Sequence, residues 1–320
     1  MPLDPNAERF LQRLAALRTS RAIDQTIDAR RSALEDLLRF AGRRDPVGAV
    51  EDRQIPGPAG PLRIRIYTPA DAPVGSPGLL YLHGGGLVSG NLDSHDAIAR
   101  SLANASGCRV FALDYRLAPE HPFPAALDDA CAAARWIAHH ASALEIDPDR
   151  FGICGDSAGA TLAAAVCHQM AVHREVPLAA QCLICPILDY GAETPSRSRY
   201  REGYFLDAGT LEHDLRHYLG AAGDRSDPRI SPLRALDLSR LPPTAIHTAE
   251  FDPLCDEGEL YAERLRGAGV RTLYRCHSGM IHLFYGMGGL IPYAVDAFRA
   301  LGADVRALLA AHPSDRETIR

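Results

Sequence analysis

From residue 78 onward this sequence alternates short apolar runs with stretches of helical period, and that alternation limits the possible folds more than any other feature. The runs at 78–82, 109–113, 150–154, 179–185, 244–248 and 271–276 read as strands, and the segments 94–106, 124–140, 158–172 and 257–267 read as helices. Runs without a wet alternate position need cover on both faces, and a helix between successive strands makes them pair in parallel. The expected class is α/β, with a mostly parallel sheet between helices. One further strand differs: Leu62, Ile64 and Ile66 alternate with Arg63, Arg65 and Tyr67, which predicts one wet face.

Two segments fall outside this rhythm. Ahead of a turn at Asp45-Pro46, Phe10, Leu11, Leu14 and Leu17, then Ile27, Leu34, Leu37 and Leu38, recur at helical spacing. A break near Thr19 and Ser20 divides them into two amphipathic helices. Later, a polar stretch at 191–201 leads into Tyr204, Phe205 and Leu206 and then a helix over 208–219. An insertion of this length between core elements makes a lid or a binding loop. The last helix, 290–311, gathers Ile291, Val295, Phe298, Leu301, Val305 and Leu308 on one face.

Composition removes whole classes of function. The 34 basic and 40 acidic residues give a formal charge of −6 and are spread evenly, so there is no nucleic-acid stripe and no anionic-membrane anchor. All 34 basic residues are arginine. The lack of lysine excludes Schiff-base and pyridoxal chemistry, a phosphate-loop lysine, and a serine activated by lysine. The 8 cysteines are scattered through apolar runs and read as reduced core residues. Cys182 and Cys185 fall in one strand, where an offset of three sends the side chains to opposite faces and not to a shared metal. No apolar signal core and no long uncharged apolar run are present, so the expectation is a soluble, cytoplasmic protein without a membrane span.

The chemistry lies at the ends of the predicted strands. Gly155-Asp156-Ser157-Ala158-Gly159 joins a strand to a helix. A serine at such a turn takes a strained backbone, costing on the order of 1–3 kcal/mol, and residues two before and two after it must lack bulk. Its hydroxyl then projects at a helix amino terminus, which favours developing negative charge. His83-Gly84-Gly85-Gly86 follows an earlier strand. Three consecutive glycines lose backbone entropy and need a reason, and acyl transfer supplies one: their N–H groups can approach an oxyanion unobstructed. Gly84, Gly85 and Ala158 are the expected donors.

With no lysine, the base must be a histidine or a carboxylate, and His282, just past the last strand, is best placed. Its orienting acid is expected between serine and histidine. Asp252 meets that demand, while Glu250, Asp256 and Glu257 compete; Asp256 and Glu257 suit the capping of the next helix. Elsewhere, Asp114 and Arg116 read as a scaffold pair. Asp93, Ser94 and Asp96 read as a helix start and not as metal ligands.

HGGG at 83–86, DYRLAPEHPFPA at 114–125, GDSAG at 155–159, DPLCDEG at 252–258 and the histidine at 282 together resemble the hormone-sensitive-lipase family of carboxylesterases, bacterial type IV, in its GDSAG branch. The resemblance runs from about residue 62 to the carboxyl end. It implies an α/β-hydrolase core of eight strands (46–190 and 227–320) and a helical cap (1–45 and 191–226). It also implies a Ser157-His282-Asp252 triad that hydrolyses small-molecule esters with short to medium acyl chains, without metal or cofactor. Many members dimerise through the last strand and helix. Leu87, where an aromatic residue is common, joins Asp156, Phe205 and Leu206 as expected substrate contacts. The same triad serves amide, lactone or carbamate hydrolysis, and a plant hormone receptor of this family has lost its histidine, which this chain keeps.

Overall fold

The computed structural model of the protein describes residues 1–17, 26–220 and 223–310; the expected break at Thr19 and Ser20 lies outside them. Eight strands form one sheet: β1 (Ala49–Ile55), β2 (Leu62–Thr68), β3 (Ser76–Leu82), β4 (Arg109–Asp114), β5 (Ile146–Asp156), β6 (Gln181–Ile184), β7 (Thr244–Phe251) and β8 (Thr272–Ile281). Their order is β1-β2-β4-β3-β5-β6-β7-β8, antiparallel across β1-β2 and β2-β4 and parallel from β4 onward. Strand β1 has no counterpart among the apolar runs. It is an edge strand of sequence AVEDRQI, exposed at every position but Ile55, so it carries no periodic signal.

The helices are α1 (Pro5–Leu17), α2 (Ile27–Ala41), α3 (Asp96–Ser106), α4 (Ala125–His139), α5 (Ala158–His173), α6 (Pro195–Arg199), α7 (Ala208–Leu219), α8 (Cys255–Gly267) and α9 (Tyr293–Leu309). Thr26 starts α2 by accepting Ala29 N–H, and Asp207 starts α7 by accepting Thr210 N–H. One apolar layer packs α4, α5 and α8 on the sheet, and the other packs α3 and α9 on the opposite face. Helix α5 is buried continuously from Ala158 to Cys167, which is why its sequence is apolar all round and not striped. Arg116 does not pair with Asp114 as expected. It clasps buried Asp129 in α4, donating from Nε at 2.8 Å and from Nη2 at 2.7 Å, because the chain after β4 turns toward that helix.

The chain leaves β3 toward β4 on one side, while β5, on the other side of β3, leads toward β6. Neighbouring parallel strands whose connections diverge leave a crevice at their carboxyl ends, and the two glycine-rich loops open into it. Among the described residues, no helix is long and apolar enough to cross a membrane.

Candidate active site

Ser157 stands where β5 turns into α5, with φ 53° and ψ −125°, a backbone rarely adopted by a residue with a side chain. The flanking glycines let that turn close. A Cβ on Gly155 would collide with Gly159 O, and one on Gly159 with Leu82 O and His83 O, so the elbow packs directly on the end of β3. Ser157 N–H donates to Ile184 O at 2.8 Å, pinning the turn to β6.

His282 follows β8 directly. Its Nε2 lies 2.9 Å from Ser157 Oγ and its Nδ1 lies 2.7 Å from Asp252 Oδ2. The other Asp252 oxygen accepts Leu254 N–H at 2.9 Å, which fixes the carboxylate beyond β7. Asp252 and His282 are fully enclosed and Ser157 nearly so. A carboxylate held against one imidazole nitrogen sets the tautomer that leaves the other free to accept a proton from the hydroxyl.

The competing acids are committed elsewhere. Glu250 accepts Gly279 N–H at 2.8 Å and pairs with the terminal amine of Met1. Asp256 and Glu257 do not cap α8, contrary to expectation. Asp256 accepts Ser196 N–H at 2.7 Å, while Glu257 accepts Leu188 and Asp189 N–H, each at 2.9 Å, and pairs with Arg197. These long-range bonds hold the start of α8 to α6 and to the segment after β6, an arrangement that helix-start chemistry alone does not reveal.

The glycine loop differs from the sequence reading by one residue. Gly84 N–H donates to Asp156 Oδ1 at 3.0 Å, and a Cβ on Gly84 would strike the same carboxylate. Gly84 is therefore turned away from the serine, and Gly85 and Gly86 line the cavity into which Ser157 and His282 open. Among the described residues, the Gly85 and Gly86 N–H groups meet no acceptor. Ala158, as the first residue of α5, has no intrahelical acceptor for its own.

Asp156 is likewise not a lining residue of that cavity. It is buried, Tyr81 O–H donates to its Oδ1 at 2.6 Å, and burial raises its carboxyl above the ordinary range. Beside it, burial drives His83 and His95 from 6.5 down to about 3, so both are neutral. His83 stacks on Tyr115 at 4.3 Å, and Tyr115 O–H donates to His83 O at 2.6 Å. This cluster is the rigid bed of the glycine loop. Leu87, with φ 63°, is buried in the apolar layer and does not face the cavity.

The cavity holds about 210 Å³. Phe205 and Leu206 line it as expected, joined by Leu211 from α7, Leu14 from α1, and Leu34 and Leu37 from α2. Phe205 also meets Phe10, ring centres 5.9 Å apart. Arg30 and Asp214 line it too, paired at 3.1 Å. The sequence carries no signal for these two, since an isolated charge in an amphipathic helix reads as a wet position. Among the described residues, one group has three metal-ligand atoms within reach of each other, Cys185, Asp252 and His282. Both His282 nitrogens are engaged by Ser157 and Asp252, which leaves that group no imidazole lone pair for an ion.

A strained serine at the strand-to-helix elbow of a mostly parallel sheet, with an aspartate and then a histidine supplied after later strands, defines an α/β-hydrolase. Residues 79–286 match the family model for the alpha/beta hydrolase fold, and the chain belongs to that family, among its hormone-sensitive-lipase-like type IV members. It is 39% identical over 303 residues to an ethyl acetate hydrolase of Pseudomonas putida, covering 92% of this chain and 95% of that protein. An arylesterase of Saccharolobus solfataricus is 38% identical over 290 residues, covering 89% and 93%. The solved hyperthermophilic esterase of the archaeon Pyrobaculum calidifontis superposes with a TM-score of 0.91 at 39% identity, covering 97% of this chain and 100% of that one.

Proposed function

We propose that this protein is a carboxylic ester hydrolase in which Ser157 attacks the ester carbonyl, His282 takes the hydroxyl proton, and Asp252 orients the imidazole and stabilises its charged form. The observation that carries this reading is the unbroken chain from Ser157 Oγ to His282 to Asp252, at 2.9 and 2.7 Å. Gly85, Gly86 and Ala158 N–H groups hold the oxyanion, with Gly84 replaced in that role by Gly86 and acting through Asp156 as an anchor. His282 then protonates the leaving alcohol, and water repeats the cycle on the acyl-enzyme.

The described residues of 1–45 and 191–226 form the cap on this reading, because leucines of both segments, with Phe205 of the second, face the same cavity. Such an apolar wall favours acyl groups and excludes water. Phe205 and Leu206 contact the acyl chain, and Leu87 and Asp156 do not. The name of one relative, ethyl acetate hydrolase, supports esters with small acyl groups.

The test is Ser157→Ala assayed on p-nitrophenyl acetate and butyrate, beside labelling of the wild type with a fluorophosphonate. The expected outcome is loss of about 10⁴-fold or more in kcat, with the label recovered on Ser157. Turnover persisting in the alanine variant would remove the assignment.

A further inference from the structure

Arg30 and Asp214 take no part in the proton transfers, yet they share the cavity with Ser157. Asp214 comes from α7 and lies flat on the glycine loop: a Cβ on Gly86 would collide with its carboxylate. Its Oδ2 is 3.1 Å from Arg30 Nη2 of α2, and its Oδ1 is 3.2 Å from His213 Nδ1. The side chains of Arg30 and Asp214 are only 16% and 7% exposed, so water screens little of their charge.

A carboxylate against Gly86 lies beside the point where, if Gly86 is an oxyanion donor, negative charge gathers on the carbonyl oxygen. Left alone it would oppose that charge in a poorly screened site and work against the donors. On the reading of Ser157 as nucleophile and Gly86 as donor, we propose that Arg30 is a positioning residue for the reaction: its guanidinium cancels the Asp214 charge at the oxyanion site. Asp214 in turn fills the space beside the loop and gives Arg30 a fixed seat. The pair spans the two segments of the cap, so electrostatics at the serine depend on where α2 sits.

The experiment compares Arg30→Met, Arg30→Lys, Asp214→Asn and the double variant Arg30→Met/Asp214→Asn by kcat and KM on p-nitrophenyl acetate, with urea midpoints to separate folding. Arg30→Met should lower kcat about tenfold while KM moves less than about twofold, since the oxyanion exists only in the transition state. Arg30→Lys keeps the charge and should keep most of kcat. Asp214→Asn should hold or raise kcat, and the double variant should recover most of what Arg30→Met lost. A double variant as slow as Arg30→Met would mark a lost tether and overturn the proposal, as would a normal kcat in Arg30→Met. If Arg30→Met does not fold, a fall of more than about threefold in Asp214→Asn overturns it instead. Ser157→Ala run alongside keeps the two claims apart: its turnover persisting sinks both, whereas the Arg30 series failing alone leaves the nucleophile standing.

Discussion

Asp156 separates a residue that touches substrate from one that aims the glycine loop, and Asp156→Ala tells which it is. The substitution removes the acceptor of Gly84 N–H (3.0 Å) and of Tyr81 O–H (2.6 Å) in a site closed to water. Each stranded donor costs about 1–3 kcal/mol, so the protein should lose about 2–6 kcal/mol of stability, read as a fall in urea midpoint. The loop, freed at Gly84, no longer holds Gly85 and Gly86 on target. Losing the aim of one oxyanion donor is worth about 10²–10³ in kcat. Ground-state binding does not use the oxyanion, so KM for p-nitrophenyl acetate should stay within about threefold. Asp156→Asn keeps an acceptor oxygen of the same shape for Gly84 N–H and Tyr81 O–H, so it should stay within about tenfold of wild type in kcat. The assay is steady-state kinetics with fluorophosphonate titration of competent serine. A raised KM with kcat intact in Asp156→Ala would refute the anchoring argument and return Asp156 to the substrate pocket.

Two other outcomes follow from buried charge. Burial holds His83, His95 and His277, the last a buried residue of β8, near 3 against the ordinary 6.5. The folded-state values are depressed, so as pH falls from 6.5 toward 3 the unfolded chain takes up these protons first and stability is lost across that window. Between pH 7 and 5 each should remove about 2 kcal/mol, measured as a falling urea midpoint; a midpoint flat across that range would contradict the neutral burial of all three. Arg197→Met strands the enclosed Glu257 carboxylate and should destabilise by about 3–5 kcal/mol, with Glu257→Gln in the same background recovering part of the loss. Equal stability of Arg197→Met and wild type in chemical denaturation would show that the pair does not tie α6 to α8.

Much of the fold was legible because its signals are local. Helix cover on both faces wrote β3 to β7 as apolar runs, and the glycines around Ser157 marked the elbow because no larger residue closes it. Strand β1 stayed invisible, since an exposed edge strand needs no apolar alternation. At the site, chain order and turn chemistry pointed to Ser157, Asp252 and His282, whose distances then support the assignment. Leu87 and Asp156 do not line the cavity, and the sequence could not show this, because a position beside a candidate reactive residue says nothing about which way a side chain turns.

What the sequence determined by itself was the class of sheet, the order of its elements and the candidate reactive side chains, all carried by period, turn geometry and residue chemistry within a few positions. What only the tertiary structure decided was which glycine N–H is already engaged, which acids are committed elsewhere, and that Arg30 meets Asp214 over Gly86. Those pairings join residues tens to hundreds of positions apart. Their free energy depends on how elements cross in space and on the exclusion of water there, and neither is written in any local stretch of the chain.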